Sequence, residues 1–421
     1  MKILFLAHRT PYPPDKGDKI RSFHLLSQLA RRHNVSLVYW VDDPKDLNHT
    51  NVLRRTCRGT VVPVPLARMH AKSRALWSLA NGCSLSRGYY GSMRFQRVVE
   101  RLVKEEGPEL IYVFSSAMAQ YAEPFRKIPT IVDFVDVDSE KWRELARLSR
   151  FPLSQIYRLE HRRLARLEIE ISRWAQYSLF VSAAEASLFS EIGGKGEIVT
   201  LPNGVVFDFV RLPTHEKVQP ADTRTTQVPS RPIHLLFVGT MSYFPNADAV
   251  LYFAREILPR IRSVFPQVIF DIVGRAPTRA VRDLNASNGV RVHGEVADLH
   301  PYLAQAEVSV GPMRISRGVP NKILEAMAVG IPVVATSEAI KGIQANDGEE
   351  LLLGDTPERF SEQVLRLLSD RELTMRITKR ARQGVQERYN WKTIGNQLAE
   401  LIDRIPPGPL SSGRTANQAL A

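Results

Sequence analysis

Cysteine is nearly absent: Cys57 and Cys83 are the only two in 421 residues. Two thiols cannot build a disulfide framework or a four-ligand zinc site, so free, buried or half-buried thiols in a reducing compartment are expected. No apolar run approaches the ~18 residues needed to span a bilayer. The opening run Ile3–Ala7 is five residues, shorter than the roughly 7–15 of a signal-peptide core. These absences predict a chain that is cytosolic, or bound to a membrane from its cytosolic side. The glycine fingerprints of two common nucleotide enzymes are also missing. The loop after the first strand, Ala7 to Gly17, holds one glycine where a dinucleotide site has G-x-G-x-x-G, and no G-x-x-x-x-G-K-[ST] occurs. Hydride transfer from a dinucleotide and P-loop chemistry are therefore disfavoured.

Acid is the scarcer charge. Lys and Arg number 57 against 44 Asp and Glu, a net charge of +13. The surplus lies mainly in residues 1–200, with 31 basic and 21 acidic side chains. Residues 51–100 hold nine basic groups and one acid, Glu100, interleaved with Trp77, Tyr89, Tyr90 and Phe95. Such a stretch suits either a nucleic-acid surface or an anionic lipid surface.

What is present is a globular pattern, 44% hydrophobic and 24% charged. Ile3–Ala7, Val35–Val41, Thr60–Val64, Leu110–Phe114, Thr130–Asp133 and Leu179–Ser182 read as buried strands separated by helical periodicity. The pattern restarts after a proline-rich polar stretch, with Ile233–Val238, Val268–Val273, Val290–His293, Val308–Val310 and Val333–Ala335. Apolar strands alternating with helices indicate parallel sheets covered on both faces. The expected fold is α/β, two Rossmann-like parallel-sheet domains facing each other across a cleft. The boundaries are 1–205, a linker at 206–232, and 233–385. A C-terminal helix at 386–405 is a candidate to pack back on the first domain, and a disordered tail follows at 406–421. Thr356–Arg404 reads as helical throughout.

The most informative stretch runs from Gly311 to Ala335, GPMRISRGVPNKILEAMAVGIPVVA. A strand ends in a Gly/Pro/Arg loop, a short helix begins near Pro320, and Gly330 stops it. A helix N-terminus with Gly318 beside it is a ready diphosphate site. Lys322 and Glu325 share a helical face. Spacing alone leaves two readings open: a cation for phosphate with a carboxylate for ribose, or an ordinary exposed ion pair worth a few tenths of a kcal/mol.

This stretch resembles the signature of the retaining nucleotide-sugar glycosyltransferases of the GT-B type, family 4. Their K-x-L-E-A-M-A-x-G-x-P-V-V core is matched by Lys322, Leu324–Ala328, Gly330 and Pro332–Val334. Leu201–Val205 (LPNGV), Phe237–Gly239 (FVG) and Ile272–Gly274 (IVG) are similar to further family segments in the same order. A narrower resemblance, carried by Asp133–Trp142 (DFVDVDSEKW), is to sugar transferases accompanying exopolysaccharide and exosortase systems. The resemblance implies a sugar moved with retention from a nucleotide-diphosphate donor to a glycan or lipid-linked acceptor. It implies no metal and no organic cofactor.

By the same resemblance the donor is held by Gly17, Gly239, Arg275, backbone groups around Val296, Arg317, Gly318, Lys322 and Glu325. Arg314 is a further diphosphate cation. Arg317 stands where the family often has the first of two glutamates, and the Arg and Lys that often follow F-V-G are absent from Thr240–Asn246. Asp133, Asp136 and Asp138 follow a strand end and are expected to face the cleft. Asp136 and Asp138 are the candidate catalytic acids, with helix capping or a place in the first turn the competing role, for Asp138 especially. His293 is expected to be a satisfied core histidine. The run from Ala67 to Leu79 reads as a basic amphipathic helix for an anionic membrane surface within 67–100, or as a solvated basic face over a packed Trp77. Without a recognition motif, nucleic acid is not expected. Two alternatives share the architecture: a sugar-nucleotide 2-epimerase and a non-catalytic nucleotide-sugar-binding scaffold.

Overall fold

A computed structural model describes residues 1–15, 17–206, 231–316 and 319–406. Most of the 206–232 linker and the tail after 406 therefore lie outside the described residues, as do Arg317 and Gly318. The chain divides into two compact units, Met1–Pro202 with the chain from Ile394 onward, and Asn203–Thr393. No helix among the described residues is long and apolar enough to cross a membrane.

Among the described residues the first unit holds seven parallel strands: β1 (Lys2–Ala7), β2 (Asn34–Val41), β3 (Val61–Pro65), β4 (Leu110–Phe114), β5 (Thr130–Val135), β6 (Tyr177–Phe180) and β7 (Ile198–Thr200). Their order is β3-β2-β1-β4-β5-β6-β7. The second unit holds β8 (Ile233–Val238), β9 (Val268–Val273), β10 (Val290–Gly294), β11 (Ala306–Gly311), β12 (Val333–Ala335) and β13 (Leu352–Leu353). Its order is β10-β9-β8-β11-β12-β13, again with parallel pairs. Every residue of β4 is buried, as helices on both faces require. The two sheets share one consequence. The order in which strands are added reverses between β1 and β4 in one, and between β8 and β11 in the other. Open α/β sheets bind ligands at such switch points, outside the carboxyl ends of the strands.

Some expected boundaries move. Leu179–Ser182 is replaced by Tyr177–Phe180, because Ser182 leaves the sheet to cap the next helix, its side chain accepting from the Glu185 amide. The region Thr356–Arg404 is helical, divided into three helices. Asp370 caps the second, accepting from Leu373 N at 2.9 Å, and Asn390 turns the chain into the third, Trp391–Asp403. Within the first unit, Gly395 of that last helix lies against Gln28 and Asn396 accepts from Arg32 at 2.7 Å. Cys57 is buried, and burial pushes its thiol up to about 12, whereas Cys83 is exposed rather than half-buried.

The carboxyl ends of β8, β9 and β10 meet through glycine. Gly239 N donates to Val273 O at 3.0 Å and Gly274 N to Gly294 O at 2.8 Å. Gly274 has φ +149°, and a Cβ there would stand 1.7 Å from Gly239 O. Gly274→Ala must push two strand ends apart, so it costs about 3 kcal/mol of stability. Chemical denaturation measures this; a loss below ~1 kcal/mol would contradict the close approach.

Candidate functional site

In the second unit the helix Asn321–Val329 starts beside the β8/β11 switch point. Ile323, Leu324, Ala326, Met327 and Ala328 bury one face, and Gly330 ends the helix at φ 82°. Pro320 is its N-cap rather than a first-turn residue, and supplies no side-chain cap. Ile323 N donates to Pro320 O at 2.9 Å, which leaves the Asn321 and Lys322 N–H groups, among the described residues, to meet a ligand where the helix dipole favours an anion.

Lys322 reaches back over the end of β8. Its Nζ donates to Asn246 Oδ1 at 2.5 Å, lies 3.7 Å from Met313 Sδ and sits 4.3 Å above the Phe237 ring. Asn246 Nδ2 donates to Thr240 O at 3.0 Å, which orients the amide oxygen toward the lysine. Gly239 makes room: a Cβ there would be 2.7 Å from the Asn246 amide and 3.2 Å from Lys322 Nζ. Among the described residues Lys322 makes no ion pair, so the exposed Lys322–Glu325 pair is not formed. Burial brings the lysine down to about 7, with Glu325 pulling the other way. Burial likewise raises Glu325 above the usual carboxylate range, Lys322 opposing. A desolvated cation beside an uncapped helix start is a strong attractor for a dense anion.

Arg314, by contrast, is tied to Asp248 and stacked 4.8 Å over Tyr252, which leaves it poorly placed as a diphosphate cation. Arg275 is half-buried, and its carbonyl accepts from Met241 N at 2.9 Å. Val296 lines an open groove of about 550 Å³ with Ala297, Asp298, Pro301, Tyr302 and Gln305. Tyr302 packs edge-on to His293 at 4.7 Å. His293 Nε2 and His234 Nδ1 each bond one oxygen of Asp271 at 2.6 Å, so His293 is satisfied and steadies that wall.

In the first unit, Gly17 starts the helix Gly17–Arg32 with open space where a Cβ would be. At the β1/β4 switch point stands His8, stacked on Phe114 at 5.6 Å and edge-on to Tyr90 at 5.8 Å. Its Nε2 is 3.5 Å from Asp18, which also accepts from Arg9 at 2.7 Å. Burial alone would raise Asp18, but His8 and Arg9 outweigh it and hold the carboxyl below the usual range. His8 Nδ1 is buried with no hydrogen-bond partner among the described residues.

The acidic segment divides. Asp133 turns into the core rather than outward, where Arg21 grips it with Nε and Nη2 at 2.8 and 3.0 Å and Tyr112 donates at 2.9 Å. Arg21 Nη1 also donates to Leu201 O and Pro202 O. Asp136 and Asp138 converge on Lys141 at 3.1 and 2.8 Å. Burial would lower Lys141, but the two carboxylates outweigh it and hold it above the lysine range. The N-cap of the helix Asp138–Leu148 is Val137, so Asp138 does not cap but stands as an acid in the first turn, the other structural role expected for it. Val135 (φ 70°) and Ser115 (φ 81°) end adjacent strands in left-handed conformations. Such strain in a β-branched residue is a mark of functional sites. Among the described residues no group of three His, Cys, Asp or Glu is placed to hold a metal.

Three residues escaped the sequence reading. His8 had a usable signal, a histidine directly after the first buried strand. Arg21 had one too: it sits four residues before Leu25 on the buried stripe of its helix, where a charge demands a partner. Asn246 had none, since its partner is 76 residues away.

Comparison with known proteins adds to this geometry. Residues 20–204 match the family model "Glycosyl transferase 4-like domain", and residues 232–370 match "Glycosyl transferases group 1". A GDP-mannose-dependent α-(1-6)-phosphatidylinositol monomannoside mannosyltransferase of Mycobacterium tuberculosis is 28% identical over 160 residues, 34% of this chain and 42% of that protein. The match thus spans less than half of that relative. Among solved structures, sucrose-phosphate synthase from Thermosynechococcus elongatus is 18% identical with a TM-score of 0.67, over 96% of this chain and 99% of that one. Anabaena HepE, solved with UDP and glucose, is 18% identical with a TM-score of 0.65, over 96% and 100%. At such identities these likenesses speak for the fold alone.

Proposed function

We propose that the chain, matched by the two glycosyltransferase family models over residues 20–204 and 232–370, is a family-4 glycosyltransferase of the GT-B type that moves a sugar, with retention, from a nucleotide-diphosphate donor to a lipid-linked glycan acceptor on the cytosolic side of a membrane. The narrower resemblance of Asp133–Trp142 favours an exopolysaccharide precursor as the product. The observation that carries the reading is Lys322, a half-buried cation with no ion pair among the described residues, poised over Gly239 at the start of a helix with no side-chain cap.

In this reading the leaving diphosphate settles on the Asn321 and Lys322 N–H groups and the Lys322 ammonium, which stabilise the charge that develops as the glycosidic bond breaks. Glu325 accepts from the ribose hydroxyls, and the groove beside Val296 takes the base. Arg275, Arg317 and Gly318 complete the donor side. His8, oriented by Asp18, faces the acceptor hydroxyl. Asp136 and Asp138, neutralised by Lys141, act as positioning residues rather than proton acceptors. The diphosphate charge is met by protein cations and the helix, so transfer persists in EDTA.

The test is a panel of UDP-, GDP-, ADP- and dTDP-sugars scored by thermal stabilisation, followed by NMR of the product's anomeric configuration. One donor base at a hundredfold excess over its Kd stabilises by about 2.7 kcal/mol, a melting shift of roughly 6 °C. No shift with any nucleotide-sugar sinks the proposal, and an epimer formed from donor alone replaces it with the epimerase alternative.

A further inference from the structure

The basic helix of the first unit displays what a membrane surface needs. In the helix Arg68–Ala80, Ala71 and Ser78 are buried and anchor its underside. Ser78 Oγ donates to Ser84 O at 3.0 Å, Arg74 to Tyr89 O at 3.2 Å, and Arg163 to Leu79 O at 2.6 Å. The helix also packs closely on the next one, since a Cβ at Gly88 would lie 2.4 Å from Ser78 Oγ. With its underside fixed, the other face cannot turn inward. That face carries Met69, Leu76 and Trp77, which are 75%, 69% and 73% exposed. Positions i, i+7 and i+8 form one stripe, and Lys72 lies within it. Trp77 is therefore not the packed tryptophan of a solvated basic face.

A second feature follows in the chain. Met93, 69% exposed, opens the helix Met93–Glu106. On that helix Arg94, Arg97, Val98 and Arg101 line a groove of about 340 Å³. Among the described residues Arg94 and Arg97 make no ion pair, and Arg101 has only Glu105 at 3.9 Å. Exposed Met, Leu and Trp on one helix, with Met93 and unneutralised arginines on the helix 93–106, are the groups that suit the boundary between acyl chains and anionic headgroups. Nucleic acid would use the arginines but leave the aliphatic stripe in water. The location fits as well. The first helix starts at the carboxyl end of β3, and Arg68 lies 3.9 Å from Asp42, which is itself 3.7 Å from Arg9 beside His8. The patch therefore borders the proposed acceptor site.

We propose that residues 68–101 dock the first unit on a bilayer containing anionic phospholipid, with Met69, Leu76, Trp77 and Met93 entering the interface and Arg94, Arg97 and Arg101 seating lipid phosphates. The inference rests on the glycosyltransferase reading only in giving the docked face its purpose, the capture of a lipid-linked acceptor.

The experiment is cosedimentation of the full chain with vesicles of 7:3 phosphatidylcholine to phosphatidylglycerol, against phosphatidylcholine alone, at physiological salt. Binding to the anionic vesicles is expected, with a blue shift of tryptophan emission that Trp77→Phe removes. Arg94→Ser/Arg97→Ser/Arg101→Ser lowers the partition coefficient about a hundredfold. The charge-matched control Arg371→Ser/Arg376→Ser/Lys379→Ser, on exposed positions of the second unit, changes it less than threefold. Equal loss in the control, equal binding to neutral vesicles, or tighter binding to a DNA duplex than to anionic vesicles would each overturn docking. Donor-induced stabilisation is measured on the same variants. Vesicle binding without any donor effect in the parent keeps docking and rejects the transferase reading, whereas a donor effect without vesicle binding does the reverse.

Discussion

Lys322→Met is expected to lower kcat/KM for transfer about 10³-fold, the scale of losing a group that stabilises developing charge. It should also raise the melting temperature of the ligand-free protein. Both effects come from one placement. The ammonium is held by an amide oxygen, an aromatic face and a thioether. In the unfolded chain Lys322 has its ordinary value of 10.5, and in the free fold it is down to about 7. Between those values the unfolded state binds more protons. The group therefore disfavours the fold fully below pH 7, and that penalty fades as pH climbs toward 10.5. Methionine keeps the length and removes the penalty.

Donor binding reverses the sense. Two phosphates favour the charged lysine, so its value rises in the complex and binding takes up a proton above pH 7. Donor affinity should fall about tenfold per pH unit above 7 until the pKa of the complex is reached. Calorimetry in buffers of different ionisation enthalpy would count the proton directly. Donor affinity that is flat from pH 6.5 to 8.5, or a Lys322→Met protein stabilised by donor as well as its parent, would remove Lys322 from the phosphate site.

The elements that could be read from the chain were those whose cause is local. Leu110–Phe114, Ile233–Val238, Val268–Val273 and Val333–Ala335 emerge with the expected ends because a strand buried on both faces must be largely apolar, the polar exceptions His234 and Asp271 bonding each other. Ile198–Thr200 and Leu352–Leu353 were missed because an edge strand of two or three residues carries no period. The same division runs through the site. The spacing of Lys322 and Glu325 was visible, but the environment that strips Lys322 of water comes from Phe237, Asn246 and Met313 on other elements. Asp136 and Asp138 were read as free acids because the decisive neighbour, Lys141, is shared between them only once a helix forms. Asp133 looked like their equal, although its partner lies 112 residues earlier.

That last pair makes the second large prediction. Arg21 and Asp133 are both fully buried, and the carboxylate is fully engaged by two guanidinium nitrogens and the Tyr112 hydroxyl. Burial, with Asp133 adding to it, pushes that hydroxyl well above the usual tyrosine value, so it stays a donor. Attraction between the charges offsets a desolvation cost of several kcal/mol per ion, and either partner left alone meets that cost uncompensated. Arg21→Met and Asp133→Leu should each destabilise the first unit by about 3–5 kcal/mol, while the double variant loses much less. The recovery is incomplete, because the carbonyls of Leu201 and Pro202 also lose the Arg21 donor and must find another partner. Arg21→Lys does not rescue, since one ammonium cannot reach the carboxylate with two nitrogens and both carbonyls at once. Urea unfolding of the four proteins closes the cycle. A coupling energy near zero would show that the pair contributes packing only, and that the helix Gly17–Arg32 is held to the sheet by its leucines alone.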